Sequence, residues 1–144
     1  MILVDEGATR AAGGRLAAAA REGDVILLSG DLGAGKTTLA RGFLEALGHA
    51  GDVPSPSFAI VQPYDALVPP VWHVDLYRIE DAGELAELGL DAADDGILLV
   101  EWPERAGEGA WPHALRLTLK AEASGARSLT AIVPPAWEQR WPFR

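Results

Sequence analysis

Cysteine and asparagine are missing from this chain, methionine occurs once, and the basic side chains are ten arginines and only two lysines. Each shortage removes a class of protein. Without cysteine there is no disulfide framework and no thiolate metal site, which fits a reducing, cytoplasmic setting. The three histidines, His49, His73 and His113, have no metal-ligand spacing, so structural or solvent roles are the default for them. Acidic residues outnumber basic ones 21 to 12, a net charge of −9. Nucleic-acid binding draws most of its affinity from Lys and Arg against phosphates, so direct RNA binding is disfavoured as the main task. No run approaches the roughly 18 apolar residues of a membrane span. The first residues reach Asp5 and Glu6 after a short apolar stretch and carry no basic region, so no signal peptide is expected.

What is there is an ordinary globular composition, 49% hydrophobic and 23% charged over 144 residues, which predicts one domain (1–144) with a proper core. Its most informative segment is Gly30-Asp31-Leu32-Gly33-Ala34-Gly35-Lys36-Thr37, a match to G-x-x-x-x-G-K-[ST]. From this chain's own composition such a match arises by chance in roughly two per thousand chains. The flanks agree. Val25-Ile26-Leu27-Leu28 reads as a buried strand, while Leu39, Phe43 and Leu47, with Ala40 and Leu44, recur at helical spacing before Gly48. In a strand–loop–helix unit the glycines let backbone N–H groups converge on phosphate, and the helix N-terminus adds partial positive charge. Lys36 then reaches the β- and γ-phosphates and the Thr37 hydroxyl ligates Mg²⁺.

Thr9 is a candidate cap for a helix from Arg10 to about Arg21, weakened by Gly13 and Gly14. The segment 50–56 reads as a loop, with strands expected at Ser57–Gln62 and Val71–Leu76 around a Val68-Pro69-Pro70 turn. A short helix over Asp81–Leu88 and a buried strand at Ile97–Val100 follow. Leu115, Leu117 and Leu119 alternate with Arg116, Thr118 and Lys120 as a half-buried strand, and Leu129–Val133 pairs with it through the Ser124-Gly125 turn. The pattern predicts an α/β fold: a three-layer, P-loop NTPase-like sandwich with a mixed, partly antiparallel sheet.

Two strands end in acids, His73-Val74-Asp75 and Leu99-Val100-Glu101, placing carboxylates where ligands sit in open α/β sheets. The residues alone do not decide which of them serves the metal. The loop Ser55-Pro56-Ser57-Phe58 is a candidate switch segment or a plain turn, and Trp102 either packs near the nucleotide or belongs to the core. Trp137 and Trp141 in the Pro-rich tail read as packing residues, with partner docking the alternative. Arg41, Arg78 and Arg105 are conceivable charge stabilisers without assigned roles. Ras-like guanine recognition needs [NT]-K-x-D and a D-x-x-G switch. There is no asparagine, Lys120 sits in Leu119-Lys120-Ala121-Glu122, and D-x-x-G does not occur, so ATP is the expected nucleotide.

Together, Gly30–Thr38, Ser55–Phe58, His73-Val74-Asp75-Leu76-Tyr77-Arg78 and Val100-Glu101-Trp102-Pro103 closely resemble one family in order and spacing, over about residues 5 to 105. It is the bacterial tRNA threonylcarbamoyladenosine (t6A) biosynthesis ATPase family, TsaE. The resemblance implies that Gly33, Ala34, Gly35, Lys36, Thr37 and Thr38 bind the ATP phosphates. It implies that Thr37 and Glu101 hold Mg²⁺, that Asp75 orients or activates water and is catalytic together with Lys36, and that Asp5-Glu6 with Ala8-Thr9 lies near the adenine. It further implies slow ATP hydrolysis stimulated by the partners TsaD and TsaB, with tRNA met only through that complex. The family usually has Thr where this chain has Ser57, which keeps the hydroxyl without the methyl that restricts its rotamers. Two other classes fit a P-loop: a small-molecule kinase, disfavoured by the short acidic segment after Asp75, and a nucleotide-gated binding module that needs no hydrolysis.

Overall fold

Seven strands form one sheet in the order β1-β7-β6-β2-β5-β4-β3. The computed structural model describes residues 1–54, 61–90, 95–107 and 109–143. The strands are β1 (Ile2–Leu3), β2 (Val25–Ser29), β3 (Val61–Tyr64), β4 (Val71–Asp75), β5 (Ile97–Glu101), β6 (Leu115–Ala121) and β7 (Arg127–Ile132). The centre is parallel, β6 with β2, β2 with β5, and β5 with β4. Both margins are antiparallel: β3 on β4 at one, and at the other the β6–β7 hairpin with β1 added to β7. Expectation and structure agree on a mixed sheet. The expected strand at Ser57–Gln62 lies largely outside the described residues, and its described continuation is β3.

The sheet pattern follows from the side chains. Every residue of β5 is buried, as an unbroken apolar run in a two-sided parallel strand should be. In β6 Leu115, Leu117 and Leu119 are buried while the residues between them are not, the signature of a half-covered strand. One face carries α1 (Glu6–Ala19) and α2 (Lys36–Ala46), which seal Leu16, Leu39 and Phe43 against Ile26, Leu28, Leu99 and Leu115. Burial of each such side chain contributes about 1.5–3 kcal/mol. The opposite face gathers Leu27, Val74, Leu98 and Val100 under Leu76, Ile79 and partly buried Leu85 and Leu88. The last two flank or lie in the short helix α3 (Ala82–Glu87), capped by the Asp81 side chain.

Helix α1 differs from expectation in a physically simple way. It starts at Glu6, because the Asp5 carboxylate accepts from the Ala8 N–H at 2.8 Å and Glu6 complements the helix N-terminus. Thr9, the expected cap, lies inside the first turns and donates its hydroxyl to the Asp5 carbonyl at 3.3 Å. Gly13 does not break the helix; it lets α2 approach. A Cβ at Gly13 would stand 2.1 Å from the Leu39 carbonyl oxygen, and one at Gly42 would stand 2.0 Å from that of Arg10. The two helices therefore cross backbone against backbone.

The tail resolves as packing. Trp137 is buried in the main core, and Arg140 lies over its ring at 4.2 Å while bonding Asp24 through both carboxylate oxygens at 2.6 and 2.8 Å. Trp141 packs edge-on against Phe143.

Candidate functional site

The C-terminal ends of β2, β4 and β5 open together onto a cleft of about 450 Å³. Chain topology explains which side chains meet there. Asp75 and Glu101 are register partners on adjacent parallel strands, so their side chains leave the same face of the sheet. His73, two residues before Asp75, shares that face. It is the face covered by α2, which follows directly from the glycine loop after β2.

The loop needs its glycines. Gly30 has φ 145°, and a Cβ there would stand 2.4 Å from the Leu119 carbonyl oxygen; Gly35, at the N-cap of α2, has φ 105°. Both conformations are costly for residues bearing a Cβ. Glu6, Gly33, Ala34, Gly35, Lys36, Thr37, Thr38, Asp75 and Glu101, the site residues expected from sequence, all line this cleft. Ser57 and its loop lie outside the described residues.

Four charged or ionisable side chains here are buried: Lys36 at 5% exposure, Asp75 at 5%, Glu101 at 3% and His73 at 0%. The Lys36 ammonium donates to the Gly30 carbonyl and, at 3.3 Å, to that of Asp31, and it sits 3.9 Å from the centre of the Trp102 ring. Burial pushes this ammonium below the usual lysine range, against the opposing attraction of Glu101, Asp75, Glu104 and Asp31. Trp102 is the one described non-glycine residue with positive φ, at 57°. That conformation costs of order 1–3 kcal/mol. It swings the indole from the end of β5 across Lys36, where the ring also meets Tyr77 at 4.9 Å.

The Thr37 hydroxyl lies 3.1 Å from each oxygen of Glu101. Across the β4–β5 pair, His73 Nε2 lies 2.6 Å from Glu101 Oε2. The hydrogen belongs on Nε2, since it faces a carboxylate and Nδ1 meets no partner among the described residues. A buried unsatisfied nitrogen of this kind costs about 1–3 kcal/mol. Asp75 is oriented by the Tyr77 N–H, which donates to its Oδ1 at 2.8 Å.

These donors suit a small hard cation. Thr37 and Glu101 supply oxygen only, and no group of three or more His, Cys, Asp or Glu is assembled among the described residues. Mg²⁺ characteristically takes one or two protein oxygens and completes its shell with phosphates and water. A site of this type fits Mg²⁺ arriving with a nucleotide better than a cage built by protein alone.

One arginine was missed from sequence. Arg127, at the start of β7, lines the cleft and donates through Nη2 to the Gly33 carbonyl at 3.1 Å, while Nη1 donates to those of Gly125 and Ala126. None of Arg41, Arg78 and Arg105 lines the cleft. Arg127 lies 94 residues from Gly33, and only the β6–β7 hairpin brings them together. Trp102 meets both of its expected positions, lining the cleft while packing, partly buried, against the Leu27, Val74, Leu98 and Val100 cluster.

A glycine loop joining β2 to α2, two strand-end carboxylates and a mixed parallel-centred sheet define the class: a P-loop NTPase-like α/β sandwich. Residues 3–129 match the family profile described as "Threonylcarbamoyl adenosine biosynthesis protein TsaE". Among similar proteins, the tRNA threonylcarbamoyladenosine biosynthesis protein TsaE of Bacillus subtilis is 42% identical over 124 residues, 85% of this chain and 77% of that one. Its namesake from Streptomyces coelicolor is 40% identical over 137 residues, 92% and 93% of the two chains. The crystal structure of YdiB from Bacillus subtilis superposes with a TM-score of 0.82 at 34% identity, covering 97% of this chain and 88% of that one. The chain belongs to the TsaE family.

Proposed function

We propose that this protein binds Mg-ATP in the cleft and hydrolyses it slowly in support of tRNA threonylcarbamoyladenosine synthesis, with stimulation by a TsaD–TsaB-type complex in the cytoplasm. The observation that carries this reading is the convergence of Lys36, Thr37, Asp75 and Glu101 on one phosphate-loop cleft. The backbone N–H groups from Gly33 to Thr38 would bind the phosphate oxygens. Lys36 is buried at a cost that an incoming polyphosphate would relieve, which makes it a binding group awaiting an anion. Thr37 and Glu101 would hold Mg²⁺, which neutralises charge on the β- and γ-phosphates when bound. Asp75, held by the Tyr77 N–H, would orient the attacking water and take its proton.

Support for the pathway comes from family membership. The net charge of −9 agrees with tRNA being bound by partners. No helix among the described residues is long and apolar enough to cross a membrane.

The test is steady-state ATP hydrolysis by the purified chain with and without a TsaD–TsaB pair, with Lys36→Ala as the blank. Weak activity that rises clearly with the pair is expected. ATP binding with no response to the pair would refute the partner role. An Asp75→Ala variant that still supports tRNA modification at the normal rate would show that hydrolysis by that acid is dispensable and would favour the nucleotide-gated reading.

A further inference from the structure

The proposed site does not use His73, although it is among the most deeply buried ionisable side chains in the chain. Its ring stands on β4 with Nε2 directed across to Glu101 on β5 at 2.6 Å. Glu101 needs such a contact. The Thr37 hydroxyl is equally far from both carboxylate oxygens, at 3.1 Å, and its single hydrogen does not fix how the carboxylate is rotated. His73 breaks the tie with a shorter contact, 2.6 Å, to Oε2 alone, which distinguishes the two oxygens and fixes the rotation of the carboxylate. A purely packing role would be met by an apolar ring, without a buried Nδ1 that has no partner among the described residues.

We infer that His73 is a positioning residue for the metal site: its Nε2–H holds the Glu101 carboxylate in the rotation at which Glu101 and Thr37 together receive the divalent cation of a bound nucleotide. It acts through Glu101 and touches neither nucleotide nor cation. The inference rests on the Mg-ATP reading above and adds to it the group that orients its carboxylate, since carboxylates that ligate metals are themselves held by outer hydrogen bonds.

The test is calorimetric titration of ATP into the protein with Mg²⁺ present and with Mg²⁺ removed by chelator. The ratio of the two affinities is the readout. In the parent, Mg²⁺ tightens binding. His73→Met, similar in reach but without a donor, should lose about tenfold of that tightening while metal-free ATP affinity stays within about twofold. His73→Gln, whose amide nitrogen reaches about as far as Nε2, should recover most of the loss. A merely structural role would move both affinities together or neither. His73→Met with parental Mg²⁺ dependence would overturn the proposal, as would His73→Gln behaving like an unrescued variant.

If His73→Met does not fold, a long-range ¹H–¹⁵N spectrum of the parent still decides. Hydrogen on Nε2 is expected, and a ring carrying hydrogen on Nδ1 alone would overturn the proposal. A parent whose ATP affinity ignores Mg²⁺ would instead refute the Mg-ATP reading itself, and this proposal with it.

Discussion

Adjacent glycines in α1 should respond to the same substitution with opposite signs. At Gly13 a Cβ would lie 2.1 Å from the Leu39 carbonyl oxygen and 2.8 Å from the Phe43 nitrogen, both backbone atoms of α2. Ordinary contact begins at 3.4 Å, so α1 and α2 must part by about 1 Å. A gap of that size removes roughly a quarter to a half of the dispersion well for each contact it opens, and Leu16, Leu39 and Phe43 all lie in the core between the helices and the sheet. Overpacking of this kind costs about 1–3 kcal/mol or more, which outweighs the gain in helix propensity of about 1 kcal/mol. At Gly14 the nearest atom to a Cβ is the Ala46 Cβ at 3.7 Å, an ordinary contact, so only the propensity gain remains. Thermal and urea unfolding followed by circular dichroism should therefore show Gly13→Ala destabilised by about 1–2 kcal/mol, the upper half of that cost less the propensity gain, with a fall in Tm of roughly 3–6 °C. Gly14→Ala should be stabilised by about 0.5–1 kcal/mol. If both variants gained stability alike, the backbone crossing of α1 and α2 would be refuted.

Three further outcomes follow from the site and the tail. Arg127→Ala should raise the KM for ATP about tenfold with kcat within about threefold, because the guanidinium braces the Gly33 carbonyl away from Asp75; steady-state kinetics checks it. Lys36 holds its proton less tightly when folded than when unfolded, so between its lowered value and the ordinary 10.5 the unfolded chain binds more protons and stability rises with pH. The parent should accordingly gain on Lys36→Met as pH rises towards 10.5 and lose that gain as pH falls, measured by denaturant unfolding across the range. Asp24→Ala leaves the half-buried Arg140 without its bidentate partner and should cost about 2–4 kcal/mol in thermal unfolding, with no change in metal-free ATP affinity.

Much of this arrangement was legible before the fold was known, and the reasons are local. Gly30–Thr37 carries its phosphate-loop geometry within eight residues, and Asp75 and Glu101 announce themselves because each closes an apolar strand. Alternation in β6 likewise reads directly as one buried and one open face. Features that depend on register or on distant approach were not legible. His73 meets Glu101 only because β4 lies beside β5 in one register, and a one-residue slip would have turned it to the other face. Arg127 reaches Gly33 through a hairpin that forms 94 residues later. Gly13 looked like a helix breaker because its value lies in a partner helix that its own segment cannot reveal. The choice of Asp5 over Thr9 as cap had a usable signal in Glu6, an acid suited to a first turn.

The central claim is that this cleft takes a nucleotide through its phosphates. It is tested most directly by calorimetric titration of Mg-ATP into the parent and into Lys36→Ala. The account predicts one ATP bound per chain and an affinity at least about tenfold weaker once the buried ammonium is gone. Equal affinity in the two proteins would contradict it.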